Sequence, residues 1–600
     1  MNQEGVEKAF ELVEKRWIAK NEASEEIVNS INNIKGLNPI VARLLGQKGI
    51  KSEEELKKYF NPSLDDLHDP FLMLNMDRAV ERLENAILNS ETIMIFGDYD
   101  VDGTTSTALV FKYLNQKYSK LKCYIPDRYA EGYGISLKGI DTAAELGAKL
   151  IIALDCGIKA LDKVEYASQL GIDFIICDHH QPGNEVPAAA AVLDPKQVDC
   201  QYPYKELSGC GVGFKFMQAM CLKMNWDLNS LFQMLDLVAL SIASDIVPIT
   251  GENRILTHFG LQQINSNPGA GIQALIEICG FKPRPDNTYD LKVDRLVFGL
   301  GPRINAAGRI GHGMGAVNLL ISETLEEARN LVGQIDDQNL ERKELDRSTT
   351  LEALDLILEN ENYHQCFSTV LFQPHWHKGV IGIVASRCIE SFYRPTIILT
   401  ESNGKLTGSG RSIFGLDLYE TIDACSQHLI QFGGHYFAAG LTLLPEKLED
   451  FKQEFENEVR KRLSEEDLIP RLVYDLEISL TDISPNLLKQ MNRMGPFGPQ
   501  NQSPLFYTKG IMDTGNSRLL ESKTGTTSHI KFEFPLPEGN SVNSQTGVLE
   551  GIGFGLGNFW PFLKMRQPFD ILYHIEENDF RGVKKIQLAI KAIRISSVEA

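Results

Sequence analysis

The stretch Ile93 to Gly103, IMIFGDYDVDG, constrains this chain more than any other, because it places Asp98, Asp100 and Asp102 at every second position directly after a short apolar run. In an extended chain alternate side chains share a face, so the three carboxylates converge. Like charges gathered in that way repel one another, and hard divalent ions bound by carboxylate oxygen are the usual remedy. An acidic turn closing a strand would also account for a single Asp-x-Asp, so the stretch has to be weighed with the residues downstream of it.

The downstream pattern alternates. Apolar runs near 92–96, 121–125, 150–154, 173–177 and 190–193 are separated by helical segments, the pattern of parallel βαβ units in a doubly wound α/β domain. Ligands in such sheets bind at the carboxyl ends of the strands. There LIIAL delivers Asp155 within LDCG, and DFIIC delivers Asp178, His179 and His180 within CDHHQPG. The apolar helix LFQMLDLVALSIASDIVPI carries Asp245 near its end as a further candidate ligand, and Asp236, for which an internal hydrogen bond is expected. Singly, Asp155 reads equally well as a helix cap and the histidines as a polar loop pair. Together, carboxylates and imidazoles at successive strand ends resemble a two-metal phosphoryl-transfer site. Mixed oxygen and nitrogen ligands suit manganese at least as well as magnesium, and zinc less well without thiolates.

At 600 residues, 43% hydrophobic and 23% charged, the chain has material for three or four domains. No apolar run reaches about 18 residues, and the charged N-terminus lacks a signal core, so a cytoplasmic protein with no membrane segment is expected. Ten scattered cysteines without a C-x-x-C pair fit reduced thiols. A net charge of −20 argues against a surface coated by nucleic acid but leaves room for a local basic groove.

The run GDYDVDGTTS, then LDCG, CDHH and SIASDIVP, in that order, resembles the motifs of the DHH phosphoesterase superfamily, and the resemblance runs along nearly the whole chain. Within it the sequence is similar to exonucleases that degrade single-stranded DNA from the 5′ end to mononucleotides, in DNA repair and recombination. The resemblance implies that Asp100, Asp102, Asp155, His179 and Asp245 bind two ions, Mn²⁺ or Mg²⁺, with Asp155 as the bridge and His180 beside it. Many members begin the motif with histidine where Phe96 stands, which leaves open whether Asp98 is a ligand. Arg128, Ser409 and Arg411 would hold the terminal 5′-phosphate. Arg303 and Arg309, in a glycine-rich loop, would hold the scissile phosphate with His180 or His435, and Asn305 and Gly434 are further phosphate contacts. A monomer working beside a single-strand-binding protein and a helicase is implied as well. The alternative is a phosphodiesterase of short oligoribonucleotides or cyclic dinucleotides.

The expected fold is multidomain α/β. Residues 1–75 read as a helical segment packed on a catalytic domain at 76–320. A long connecting helix spans 321–360, and a smaller α/β domain, like the DHH-associated domain, spans 361–470. From 471 to 600, short strands between Gly, Asn and Pro turns suggest an OB-type barrel that binds single strands. Lys531, Phe532, Phe534, Lys584, Lys585 and Lys591 are its candidate contacts, and strand alternation must turn about half of them inward.

Overall fold

The computed structural model describes residues 15–32, 34–360, 363, 365–521, 528–536, 547–580 and 583–596. Residues 1–14 of the expected helical segment lie outside them. By contacts the chain forms two units, Asn61–Glu344 with Gly495–Gln502, and Met1–Phe60 with Leu345–Met494 and Ser503–Ala600.

The first unit is built on five parallel strands, β1 (Thr92–Gly97), β2 (Leu121–Tyr124), β3 (Ala148–Leu154), β4 (Asp173–Cys177) and β5 (Ala191–Leu193), ordered β2-β1-β3-β4-β5. Alternation sends Ile93, Ile95, Leu150, Ile152 and Ile175 into one apolar layer. Met94, Phe96, Ile151, Ala153 and Ile176 enter another on the opposite face. Both faces are therefore covered, as near-continuous apolar strands require. The register pairs Gly97 with Leu154, Leu154 with Cys177 and Cys177 with Leu193. The next residue of each strand end, Asp98, Asp155, Asp178 and Asp194, consequently leaves the sheet in a row at one edge.

Four helices bring the remaining site residues: α1 (Val101–Asn115), α2 (Gly209–Met224), α3 (Leu235–Asp245) and α4 (Gly301–Ile310). A fully buried pair anchors α2, with Lys215 Nζ 3.2 Å from Glu252 and 2.6 Å from the His68 carbonyl. Glu252 also accepts from Tyr202 and from the His68 amide. The connecting helix expected over 321–360 is α5, Leu325–Glu359, 35 residues long.

The second unit contains a five-stranded sheet, β6 (Thr369–Phe372), β7 (Thr396–Ser402), β8 (Lys405–Arg411), β9 (Leu429–His435) and β10 (Ala438–Leu443), ordered β9-β10-β8-β7-β6. It also contains a seven-stranded mixed sheet drawn from Leu476 to Ile595, the OB-type module. Three expectations change here. The stretch around Trp17 is a strand, Arg16–Ala19, parallel to Arg471–Tyr474, and not a helix. Trp17 lies under the Arg594 guanidinium at 4.4 Å, and Arg594 pairs with buried Asp570 at 3.0 Å. Tertiary pairing thus overrides a short helical pattern, and the described part of Met1–Phe60 groups with this unit where packing on the catalytic domain was expected. Phe532 and Phe534 are wholly buried, stacked on each other at 5.6 Å, and belong to the barrel core, not to a DNA surface. Lys531 and Lys584 are paired with Glu550 and Glu577, while Lys585 and Lys591 are exposed.

Candidate metal centre

The three aspartates of the opening stretch converge, but not by strand alternation. Strand β1 ends at Gly97, and Asp100 is the N-cap of α1, its carboxylate accepting from the Gly103 amide at 3.1 Å. Asp102 lies in the first turn of the helix. A capped strand-to-helix turn therefore does what an extended chain was expected to do. Gly103 packs against the Asp98 backbone, where a Cβ would clash.

Asp102 is buried and held from three sides. It accepts the amides of Gly209 at 2.6 Å and Cys210 at 2.7 Å, the first of α2, and the Ser241 hydroxyl at 2.7 Å. Ser241 is bonded in turn to Ser208, the N-cap of α2. A helix N-terminus is a good seat for a carboxylate, because its free amides and dipole favour negative charge. Asp155, at the end of β3, adopts φ +60°. Such left-handed backbone in a residue other than glycine costs free energy and clusters at functional sites.

His179 joins these groups. Its Nε2 lies 3.1 Å from Asp155 Oδ1 and 3.6 Å from an oxygen of each of Asp102 and Asp245. Three sets of ligand atoms each fall within 4.8 Å: Asp98, Asp100 and Asp155; Asp102, His179 and Asp245; and Asp155, His179 and His180. Asp155 is common to the first and third sets, and His179 to the second and third. Both oxygens of Asp98, Oδ1 of Asp155 and both ring nitrogens of His179 are buried without a hydrogen-bond partner. Buried polar atoms are normally paired, so a concentration of orphans facing one another marks a place for a cation. The donors are oxygen and nitrogen only, a set that fits Mn²⁺ or Mg²⁺.

The electrostatics agree with that fit. Burial, followed by the charge of neighbouring carboxylates, raises the carboxyls of Asp98, Asp155 and Asp245 well above the usual range and that of Asp100 less far. Burial pushes His179 down to about 4, which leaves the neutral imidazole that a metal ligand must be.

Asp178, the first residue of the triplet, is not among these sets. Its carboxylate accepts from the amides of Ile158, His179 and His180 at 2.7–3.1 Å, and from His180 Nδ1 at 2.7 Å. Burial opposes its ionisation, but the His180 hydrogen bond and charge outweigh that and hold the carboxyl low. His180 is raised to about 9 against the effect of burial, chiefly through the same bond. Asp194, which closes β5, was not singled out in the sequence. It is buried, accepts from the Lys196 amide at 2.7 Å, and is pushed by burial to about 7. Asp236 accepts from the amides of Leu237 and Gly269, the internal role expected of it.

The phosphate candidates are distributed more widely. The Arg128 guanidinium stacks 5.0 Å above the Tyr99 ring, next to Asp98. The motif containing Arg303, Asn305 and Arg309 is helix α4, not a glycine-rich loop. At 100° per residue, Asn305 and Arg309 share a face, while Arg303 points elsewhere. Arg303 is accordingly bonded to Asp336 at 2.8 Å and to the Gly299 carbonyl at 2.9 Å. Gly308 lets α4 lie directly against the Tyr99 backbone, and the Arg309 carbonyl accepts from Tyr129. In the second unit, Ser409 and Arg411 occupy one face of β8 and are joined at 3.0 Å, with Gly382 leaving room for both. Gly434 and His435 end the exposed edge strand β9. The sequence reading missed Ser208, Gly209, Cys210 and Ser241, and also Tyr133, whose hydroxyl lies 3.1 Å from His180 Nε2. The N-cap signal of Ser208 before GCGVG was available for the first three, while Ser241 and Tyr133 carry no local signal.

Comparison with known proteins agrees with this architecture. Residues 92–242 match the DHH family N-terminal domain, 363–461 the DHHA1 domain, and 474–592 the RecJ OB domain. The chain is 34% identical over 583 residues to the single-stranded-DNA-specific exonuclease RecJ of Bacillus subtilis (strain 168), covering 97% of this chain and 71% of that one. It is 34% identical over 577 residues to the enzyme of the same name from Escherichia coli (strain K12), covering 93% and 96%. The crystal structure of RecJ with Mn²⁺ from Thermus thermophilus has the same fold, with a TM-score of 0.81 at 24% identity, covering 97% of this chain and 80% of that one. A crystal structure of exonuclease RecJ bound to manganese is 28% identical, with a TM-score of 0.57 over 68% of this chain and all of that one.

Proposed function

The chain belongs to the RecJ family of single-stranded-DNA-specific exonucleases, and from that premise we propose that it hydrolyses single-stranded DNA from the 5′ end to 5′-mononucleotides at the centre built on Asp155. The observation that carries this reading is the pair of ligand sets on either side of the site, joined through Asp155 and His179, with their buried polar atoms unpaired. Asp98, Asp100 and Asp155 would hold one ion, and Asp102, His179 and Asp245 the other. Asp98, with two orphaned buried oxygens, is a ligand on this reading. The ions, when bound, supply Lewis acidity toward the attacked phosphate and a water acidic enough to yield hydroxide near neutral pH.

The chain's own residues do the rest. Asp178 fixes His180 with Nδ1 as donor, which leaves Nε2 as the nitrogen that can donate to a phosphate oxygen. Arg128 and Arg309 offer charge to the phosphates, and the α2 amides keep Asp102 in register. Ser409 and Arg411 would hold the terminal phosphate, with Gly434 and His435 as further phosphate contacts from 361–470. On the same reading residues 76–320 carry catalysis and the barrel at 471–600 binds the strand. We place it in the cytoplasm as a monomer that works beside a single-strand-binding protein and a helicase. The partners rest on sequence resemblance, and co-purification with each of them tests that reading.

The discriminating experiment incubates the protein and Mn²⁺ with 5′-labelled and 3′-labelled single strands, duplex and RNA. Immediate release of labelled mononucleotide from the 5′ end of single-stranded DNA supports the proposal. Release from the 3′ end, or activity confined to dinucleotides, overturns it.

A further inference from the structure

Tyr133 lies on the loop after β2, and its ring is well exposed, at 58% of its full surface. Its hydroxyl nonetheless lies 3.1 Å from His180 Nε2, the ring nitrogen left over once Nδ1 has been committed to Asp178 at 2.7 Å. The ring also packs edge-on against Tyr99 at 6.1 Å, and Tyr99 carries the Arg128 guanidinium on its face. A chain of contacts thus runs from Arg128 through Tyr99 and Tyr133 to His180, all within the first unit.

The chemistry of the contact is restrictive. Asp178 is fixed by three backbone amides and can only accept, so the imidazole keeps its proton on Nδ1. A phosphate oxygen can only accept as well, and contact with His180 therefore needs Nε2–H free to donate. In this structure the phenol occupies that nitrogen, whether as acceptor from Nε2–H or as donor to bare Nε2. Either way the same position is filled by a group that a phosphate must displace.

We infer that Tyr133 is a positioning residue that holds His180 aimed at the site and stands in for the substrate phosphate, yielding its place when a phosphate arrives. The inference deepens the proposed nuclease reading and depends on His180 facing phosphate. An exposed aromatic on a loop can swing aside at small packing cost, which a buried residue could not do. Displacing one hydrogen bond on an otherwise oriented imidazole weakens phosphate binding by a factor of about two to ten.

The test uses inorganic phosphate as the probe and ¹⁵N-histidine NMR on the full-length protein loaded with Mg²⁺, the His180 signals being assigned by their loss in His180→Ala. With Tyr133→Phe, which keeps the ring and removes only the hydroxyl, half-saturation of the His180 Nε2 shift should occur at about two- to tenfold lower phosphate than in the wild type. The Nδ1 signal should stay that of a donor in both. Unchanged or weaker phosphate binding in Tyr133→Phe, or no response of Nε2 to phosphate in either protein, would overturn the inference. Because the readout is binding, a wild type that titrates normally but releases no nucleotide would refute the nuclease reading separately.

Discussion

Gly209 is where the geometry makes its sharpest quantitative demand. A Cβ built there would lie 2.6 Å from Asp155 Cβ, 2.8 Å from its Oδ1 and 2.9 Å from its Cα, so Gly209→Ala forces Asp155 and the start of α2 apart by most of an ångström. The stability cost is modest. Overpacking costs about 1–3 kcal/mol, and alanine in place of glycine in a helix returns up to about 1 kcal/mol. The melting temperature should therefore fall by only a few degrees. The effect on turnover is larger, because the Gly209 and Cys210 amides position Asp102 while the new methyl group pushes Asp155. Misplacement of catalytic groups by about 1 Å costs roughly 100-fold. Measured as kcat/KM on 5′-phosphorylated single-stranded DNA in Mn²⁺, alongside a thermal melt, the variant should lose about two orders of magnitude while remaining folded. Activity within a factor of two of wild type would refute the claim that this contact sets the site.

Other perturbations draw on the same kinds of contact. Asp100→Ala and Asp155→Ala should abolish nucleotide release while preserving the circular dichroism spectrum, and near-normal turnover in either would remove these residues from the site. Glu252→Gln leaves Lys215 buried beside a neutral group, and denaturant unfolding should show a loss of about 3–5 kcal/mol; a loss under about 1 kcal/mol would mean that the pair contributes little. Asp570, bonded to Arg594, Tyr507, Ser596 and the Gly510 amide, is held below the usual carboxylate range, these bonds outweighing its burial. A depressed folded-state pKa stabilises above the unfolded value of about 4, and that contribution disappears as pH falls through the folded value. Asp570→Asn should therefore cost about 2–3 kcal/mol at pH 7, and its deficit against wild type should shrink below pH 4 in pH-dependent melts; a deficit independent of pH would contradict the assignment.

Strand-end positions were legible because a parallel sheet leaves one readable signature: apolar runs of similar length ending in Asp98, Asp155 and Asp178. The register that aligns those ends is a property of the sheet, and it is also what adds Asp194 to the row. What the sequence concealed were contacts that depend on where helices land. The spacing of Asp98, Asp100 and Asp102 suggested an extended chain, yet the N-cap of Asp100 starts a helix between them. The glycines around Arg303 suggested a loop, but close packing on Tyr99 explains Gly308 equally well within a helix, and the helical turn then sends Arg303 to Asp336. In the barrel, alternation gave the warning that half the candidates face inward without saying which half, and Phe532 and Phe534 are the inward ones. Asp178 named the motif without joining the ligand sets, since donors from four directions leave it no role but holding His180.

The central claim of the proposal is that Asp155, grouped with Asp98 and Asp100 and lying 3.1 Å from His179 of the Asp102–His179–Asp245 set, lies between two ion positions. Anomalous diffraction from crystals soaked in Mn²⁺ tests it most directly. The account predicts two manganese peaks about 3.5–4 Å apart, in the spacing of two-metal hydrolytic sites, with an Asp155 oxygen between them and Asp98 on the first. A single peak, or two peaks that do not share Asp155, would contradict it.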